Sequence, residues 1–208
     1  MTGSTLNMHY TIADPKTFGI SEYEPVLPIY HSDQPEDSKE HCSDLLHRLD
    51  RIDPDRLSPE NAYTYRLLHR SLENDLALAD FPYYNEPLSP SSGMQSQLPV
   101  LLAEYTFRTK RDVTDYLALL DQIDDYFASL LLYEQEKAAA GFFMPACSSE
   151  KVRKQCDTIV TTEELAQGTH FLQTTFEDRL SELQKQGLFT PEETASLIET
   201  NDRLLATV

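Results

Sequence analysis

Hydrophobic positions between Leu98 and Gly141 repeat with the period of an α-helix and form the strongest such pattern in the chain. They recur three and four positions apart, as on the buried face of an amphipathic helix. Thr109–Asp112 has the form of a capping box, in which side chains bond the free N–H groups of a helix start. We therefore expect a helix that begins at Leu98, with Pro99 in its first turn. A second helix should begin at Thr109 and end before Gly141, and it either runs straight through Asp124–Asp125 or bends there.

The same period predicts helices on both sides of this region, so the fold class is all-α. We expect about seven or eight helices in an irregular bundle, and the last one has no stop signal, as if it continued beyond the chain. The further helices are predicted from near Asp33 to about Ile52, from Ser58-Pro59 to about Asp80, from Ser148 or Ser149 to about Val160, from Thr161 to near Gly187 as one helix or a pair, and from Thr190 to Val208.

The segment Thr5–Ile12 alternates instead, with Leu6, Met8, Tyr10 and Ile12 on one face, which is typical of a half-buried strand. No second strand is evident in the sequence to pair with it. We therefore expect residues 1–31 to form an extended N-terminal arm on the helices, or a strand whose partner lies elsewhere. Residues 32–208 are expected to form the helical region.

The stretch from Phe81 to Gly93 is rich in proline, which excludes regular structure there. Long loops inside compact domains are often functional. Tyr83 and Tyr84 lie beside prolines and could line a groove for a peptide or glycan. Aromatic residues that pack such a loop against the core are at least as common, so both interpretations stay open.

The net charge of −18 makes nucleic acid and anionic membrane surfaces unfavourable partners and indicates a solubilising surface. The sequence has no apolar run that could span a membrane, and its first residues lack the pattern of a signal segment. The three cysteines have no zinc-ribbon spacing. We expect free, buried thiols, although Cys147 and Cys156 could pair in an oxidising compartment.

Recognised catalytic motifs are missing from the sequence: it contains no HExxH, no GxSxG and no phosphate-binding loop. His69 and Glu73 have the spacing to share a cation on one helix face, but a hydrogen-bonded histidine is the favoured interpretation. Glu104 and Arg108 have the spacing of a helical ion pair. The residues by themselves therefore predict no catalytic residue and no metal ligand.

The residues from Leu98 to Gly141 also resemble the N-terminal half of a known family, the bacterial domain-of-unknown-function family 885. The opening residues from Leu6 to Pro15, with Phe18–Ile20, resemble the exported, lipoprotein-like branch of that family. The similarity covers nearly the whole chain. Its other elements are Pro87–Pro90 with Gly93, Leu98-Pro99, Leu102–Phe107, Asp112–Leu117, Leu119-Leu120, and Glu134–Ala138 with Gly141.

The resemblance implies a helical protein whose complete form is much longer than 208 residues. Members of the family carry an HExxH-like zinc motif in the C-terminal half and look like metallopeptidases. This chain has no such motif, so the expected zinc belongs to the full-length protein. The expected partners are the missing C-terminal half and a peptide substrate, and the expected location is extracytoplasmic, as a surface lipoprotein or a secreted protein.

We thus interpret the chain as a non-catalytic N-terminal fragment that forms part of the scaffold or substrate-cleft wall. The candidate wall residues are Tyr83, Tyr84, Gly93, Glu104 and Tyr105. The alternative is a self-contained extracytoplasmic helical module that binds a peptide, a glycan or a protein. The length of the gene beyond Val208 distinguishes the two.

Overall fold

A computed structural model of the chain describes residues 4–30 and 34–207, with side chains from residue 39 onward in the second range. In these two ranges all regular structure is helical, which confirms the predicted all-α fold class. Eight of the α-helices have ten residues or more, and α1 and α8 are shorter. They are α1 (Thr5–Thr11), α2 (Gln34–Leu49), α3 (Pro59–Leu78), α4 (Met94–Ala103), α5 (Lys110–Leu120), α6 (Ile123–Ala139), α7 (Ala146–Ile159), α8 (Thr162–Gln167), α9 (Phe171–Lys185) and α10 (Pro191–Leu205), with single 3₁₀ turns at Pro15–Phe18 and Pro54–Arg56.

The described residues form two units that interleave along the chain. The first contains residues 4–30, 87–132 and 143–207, and the second contains residues 34–86 and 133–142. Helix α6 contributes its first turns to one unit and its last turns to the other. Each unit is considered separately below.

The core of the first unit forms around α5, in which Val113, Tyr116, Leu119 and Leu120 are fully buried. Tyr116 stacks on Phe176 of α9 at 5.4 Å between ring centroids, and Phe107 meets both rings edge to face. Burying one such side chain stabilises the fold by about 1.5–3 kcal/mol. Leu98 and Leu102 of α4 complete this core.

The predicted N-terminal strand is wrong, because Thr5–Thr11 is helix α1. Ser4 caps this helix by accepting a hydrogen bond from the N–H of Asn7. The buried residues Thr5, Met8 and His9 have helical spacing, whereas the apolar Tyr10 of the alternating set is exposed. A segment of seven residues satisfies both periods, and the cap together with burial on one helical face favours the helix.

Residues 20–30 have no regular structure and lie along the first unit. The hydroxyl of Tyr23 donates to Asp115 at 2.7 Å, and the guanidinium of Arg111 lies 3.9 Å from the centre of the Tyr23 ring. Further along, the amide side chain of Gln122 both accepts from the N–H of Leu27 and donates to the carbonyl of Pro25. These bonds satisfy backbone groups that no strand partner reaches.

The second unit consists of the α2–α3 hairpin, the residues that follow it and the last turns of α6. Ser58 caps α3 and Pro59 is its first residue, as predicted. Lys39 on α2 forms an ion pair with Asp80 just after α3. The predicted start of α2 near Asp33 lies outside the described residues, and α2 ends at Leu49, before Ile52.

Other helix boundaries also differ from the sequence prediction, and α10 ends at Leu205, before the predicted Val208. Helix α4 begins at Met94 instead of Leu98, so Pro99 lies inside it. Helices α5 and α6 are separate and break before Asp124, while Gly141 ends α6 at φ +88° as predicted. Helix α7 begins at Ala146, slightly before the predicted serines.

The three cysteines are free, but the expectation of buried thiols is wrong, since Cys147 and Cys156 are exposed and Cys42 is half-buried. Over the described ranges, the helices are too short or too polar to cross a membrane.

Candidate binding site

Residues 81–86, here called the tyrosine loop, lie against the last turns of α6 in the second unit. The hydroxyl of Tyr133 donates to the carbonyls of Pro82 at 2.9 Å and Asn85 at 3.2 Å. The ring of Tyr83 lies 6.0 Å from that of Tyr133. Tyr84 is 80% exposed. The loop therefore has one tyrosine that packs inward and one that faces solvent.

A buried lysine holds the same loop. Lys137 is only 2% exposed; its ammonium group lies 2.7 Å from Glu86 and donates to the carbonyl of Asn85 at 3.2 Å. Burial of a charge is unfavourable unless the charge is paired and hydrogen-bonded, and both conditions are met here. Lys137 thus fixes the backbone next to Tyr84.

One turn earlier on α6, Glu134 is buried with a carboxyl group that makes no hydrogen bond within the described part of the chain. Burial raises the pKa of this carboxyl, the Lys137 ammonium lowers it, and Glu86 raises it. The net direction is upward. Perturbed acids of this kind are often found at functional sites. The signal for this group in the sequence is an acid and a lysine three positions apart on an otherwise apolar helix face.

Gly93 has a structural role in the first unit. A Cβ atom at this position would lie 2.0 Å from Oε1 of Gln95 and 2.3 Å from the backbone nitrogen of Ser89. The Gln95 amide donates to the carbonyl of Ser89 and to Gln155 on α7. Gly93 thus permits the close approach that ties residues 87–93 to α4 and α7.

Tyr105 is a core residue with 1% exposure, so it presents no surface to a substrate. Its ring stacks on His9, and its carbonyl accepts a hydrogen bond from the guanidinium of Arg179. Glu104 is exposed but follows the end of α4 at Ala103. Glu104 and Arg108 therefore do not share a helical face, and the basis of their predicted ion pair is wrong.

The five predicted wall residues are thus divided between the units. Tyr83 and Tyr84 belong to the second unit, and Gly93, Glu104 and Tyr105 belong to the first. Gly93 and Tyr105 are buried, whereas Tyr84 and Glu104 are exposed. The role of the exposed residues, Tyr84 and Glu104, in a substrate-cleft wall stays a prediction.

His69, which the sequence analysis considered as a cation ligand, lies between two carboxylates in the second unit. Nδ1 of His69 is 3.4 Å from Glu73, and Nε2 is 3.2 Å from Asp50. Because the two ring nitrogens point in different directions, the two acids and the ring do not converge on one ion. Among the residues described, no three histidine, cysteine or acidic side chains form a cluster suited to a metal. The zinc that the resemblance implies is expected in the C-terminal half of the full-length protein, so it stays a prediction.

The fold is therefore all-α, and the candidate site is an aromatic loop that an ion pair and tyrosine hydrogen bonds hold on a helix. The chain belongs to a bacterial family of proteins of unknown function, DUF885, whose model matches residues 16–207. A search of curated proteins found no match.

The chain is also similar to a solved crystal structure, that of "the putative lipoprotein from Colwellia psychrerythraea". The two share 14% sequence identity with a TM-score of 0.76, which is a similarity of fold. The match covers 98% of this chain and 35% of the Colwellia chain. The present chain therefore spans about a third of the length of that protein.

Proposed function

We propose that the chain is the non-catalytic N-terminal helical part of a longer DUF885 protein, in which it forms scaffold and part of a substrate-cleft wall. The observation that carries this proposal is an apolar stripe on α3, defined by Tyr63, Leu67 and Leu78. All three side chains are more than half exposed. The threefold greater length of the similar Colwellia chain supports it, since a longer chain supplies a surface to cover the stripe.

The stripe follows one side of the helix. Leu67 lies one turn after Tyr63, and Leu78 lies three turns after Leu67, so the three positions fall within about 60° around the axis. The polar Asn74 lies on the same side between Leu67 and Leu78, so the stripe consists of an apolar pair and a separate apolar position. The half-buried positions Leu72 and Leu76 lie on the opposite side of α3. None of the residues of α3 is fully buried. An exposed apolar stripe of this kind is typical of an interaction surface.

The tyrosine loop is the part of the second unit best suited to contact a substrate. Tyr84 and Phe81 expose flat aromatic surfaces, which stack on peptide bonds, side chains or sugar rings. The loop that carries them is fixed by Tyr133 and Lys137, so little conformational entropy is lost when a ligand binds. The substrate class we favour is an extended peptide.

In this proposal the zinc and the hydrolytic groups belong to the remaining part of the protein. The 208-residue chain alone should therefore purify without stoichiometric zinc and should not cleave peptides. Metal analysis and a peptide-cleavage assay with and without a chelator test this expectation. Stoichiometric zinc together with chelator-sensitive cleavage by this chain would refute the proposal.

A self-contained binding module is the second candidate, and the solvent-facing Tyr84 favours it equally. The length of the gene separates the two candidates. Several hundred further codons with an HExxH motif support the longer protein, and a stop codon close to Val208 supports the module. For either candidate we propose an extracytoplasmic location, which the similarity to a lipoprotein supports.

A further inference from the structure

The first unit contains an open pocket of about 400 Å³ that no part of the proposed function uses. It lies among α4, α6, α7, α8, the start of α9 and the end of α10. Ligand pockets in proteins typically measure about 300–1,000 Å³, so this volume is sufficient for a small molecule. All the lining residues belong to the first unit, so the pocket is complete within it.

The inner wall of the pocket is apolar. Leu98, Leu102 and Leu172 of the hydrophobic core form its floor, and Phe127 and Leu165 are half-buried around it. Water in contact with such a wall is unfavourable, and an apolar chain that displaces it is stabilised by the hydrophobic effect. The walls thus select a ligand that has a hydrocarbon portion.

Two ionisable side chains line the pocket, Asp124 near the start of α6 and Cys156 on α7. Asp124 is exposed and forms no salt bridge with the described residues. The pocket lining contains no basic side chain. A carboxylate next to an apolar cavity complements a positively charged head group on an apolar tail.

We propose that this pocket binds an amphipathic organic cation, with its hydrocarbon chain between α4 and α8 and its positively charged group beside Asp124. The proposal goes beyond the function proposed above and does not depend on it, because it concerns the first unit alone. It holds whether the chain acts as part of a longer protein or as a separate module.

Two cysteines on α7 provide a built-in assay. Cys156 lines the pocket, whereas Cys147 lies on the same helix, is also exposed, and is outside it. Octylammonium is the probe, and octanoate and octanol carry the same chain with a negative or neutral head. Alkylation of each cysteine in the 208-residue chain is followed by mass spectrometry. We expect octylammonium to slow alkylation of Cys156 several-fold and to leave Cys147 unchanged.

Equal protection of both cysteines, or protection of neither, overturns the proposal. If octanoate and octylammonium protect Cys156 equally, the pocket does not select a positive head group, and that part of the proposal is overturned. Calorimetric titration of octylammonium gives an independent affinity. Leu165→Trp fills the pocket and should abolish binding, provided that circular dichroism shows an intact fold.

Asp124→Asn tests the head-group contact without altering the cavity. Because an exposed ion pair is weak, we expect octylammonium binding to fall about threefold, octanol binding to be unaffected, and octanoate binding to rise if it changes at all. Asp125→Asn is the matched control: it removes the same charge from the neighbouring exposed residue, which does not line the pocket. If both variants weaken binding equally, general attraction to an acidic protein explains the preference and the proposed site for the cation is wrong.

Discussion

The imidazole ring of His9 stacks on the ring of Tyr105, with ring centroids 3.7 Å apart and planes inclined by only 11°. The N–H of Thr106 donates to Nε2 of His9 at 3.2 Å, so this nitrogen carries no proton. The contact joins α1 to the segment between α4 and α5. The pKa of His9 is lowered from 6.5 to about 4, first by burial and then by the nearby Arg108, against an opposing effect of Asp112.

The low pKa of His9 predicts that the fold loses stability in mild acid. Between pH 6.5 and about 4 the unfolded chain binds a proton at this residue and the folded chain does not. The free energy of unfolding therefore falls as the pH falls through this window, by at most about 3 kcal/mol. Urea unfolding at several pH values measures the effect.

His9→Phe isolates this contribution, because phenylalanine keeps the stack but does not titrate. Its unfolding free energy should fall less than that of the wild type between pH 7 and mild acid, or even rise there, because His9 no longer opposes the buried acids. The comparison with the wild type is needed because Asp115 and Glu134 have raised pKa values, which act in the opposite direction. A His9→Phe profile parallel to the wild type would contradict the assignment, and His47→Gln on α2 serves as an exposed control.

Gly93→Ala should destabilise the first unit by about 2 kcal/mol or more, because the new Cβ would overlap Gln95 and the backbone of Ser89. Thermal and urea unfolding measure the change. Gly168→Ala is the matched control, since that glycine has φ +66° but no atom within 4 Å of a new Cβ. Gly168→Ala should lower the unfolding free energy by about 1 kcal/mol, because alanine is unfavourable in this backbone conformation. Equal costs at the two sites would argue against the close approach.

The capping box of α10 predicts a second local effect. Thr190 accepts from the N–H of Glu193, and Glu193 accepts from the N–H of Thr190. Thr190→Ala should lower stability by about 1 kcal/mol, whereas Thr190→Ser keeps the hydroxyl and should have little effect. Urea unfolding of the two variants measures this difference. If serine destabilises as much as alanine, the cap does not account for the start of α10.

Lys137→Met should release the tyrosine loop and destabilise the second unit by about 2 kcal/mol, since Glu86 and Glu134 lose their cation. Amide hydrogen exchange in residues 81–86 should become faster. Glu86→Gln, at the exposed end of the pair, should cost less than about 1 kcal/mol.

The double variant Lys137→Met/Glu134→Met tests the role of the buried acid. Removing the acid as well should restore part of the stability that Lys137→Met loses, because no unpaired carboxyl then stays buried. Additive effects of the two substitutions would show that Glu134 and Lys137 are not coupled.

The sequence predicts the long helices well because their caps are local. Ser58 with Asn61, Thr109 with Asp112, and Thr190 with Glu193 each bond within three residues, so neighbouring residues alone determine these starts. The start of α4 is different. It depends on Gly93 and on the contact of Gln95 with Ser89 and Gln155, which no periodic pattern reveals.

The candidate site, like the helices, could be predicted only where residues close together in the sequence determine its structure. The exposure of Tyr84 agrees with its position in a proline-rich loop, but the burial of Tyr105 depends on His9 and Arg179, which are far away in sequence. The environment of Glu134 likewise depends on the tyrosine loop packing on α6. Spacing along one helix gives neighbours on that helix and does not give the contacts made by other segments.

The central claim is that the α3 stripe binds the remaining part of a longer DUF885 protein. Its most direct test is to produce the remaining part as a separate polypeptide and to measure its association with this chain by calorimetry. We predict stoichiometric binding that Leu67→Glu, on the stripe, weakens at least tenfold. Asn61→Glu, an exposed position on another side of α3, should leave binding unchanged. The absence of association, or equal binding by both variants, would contradict the claim.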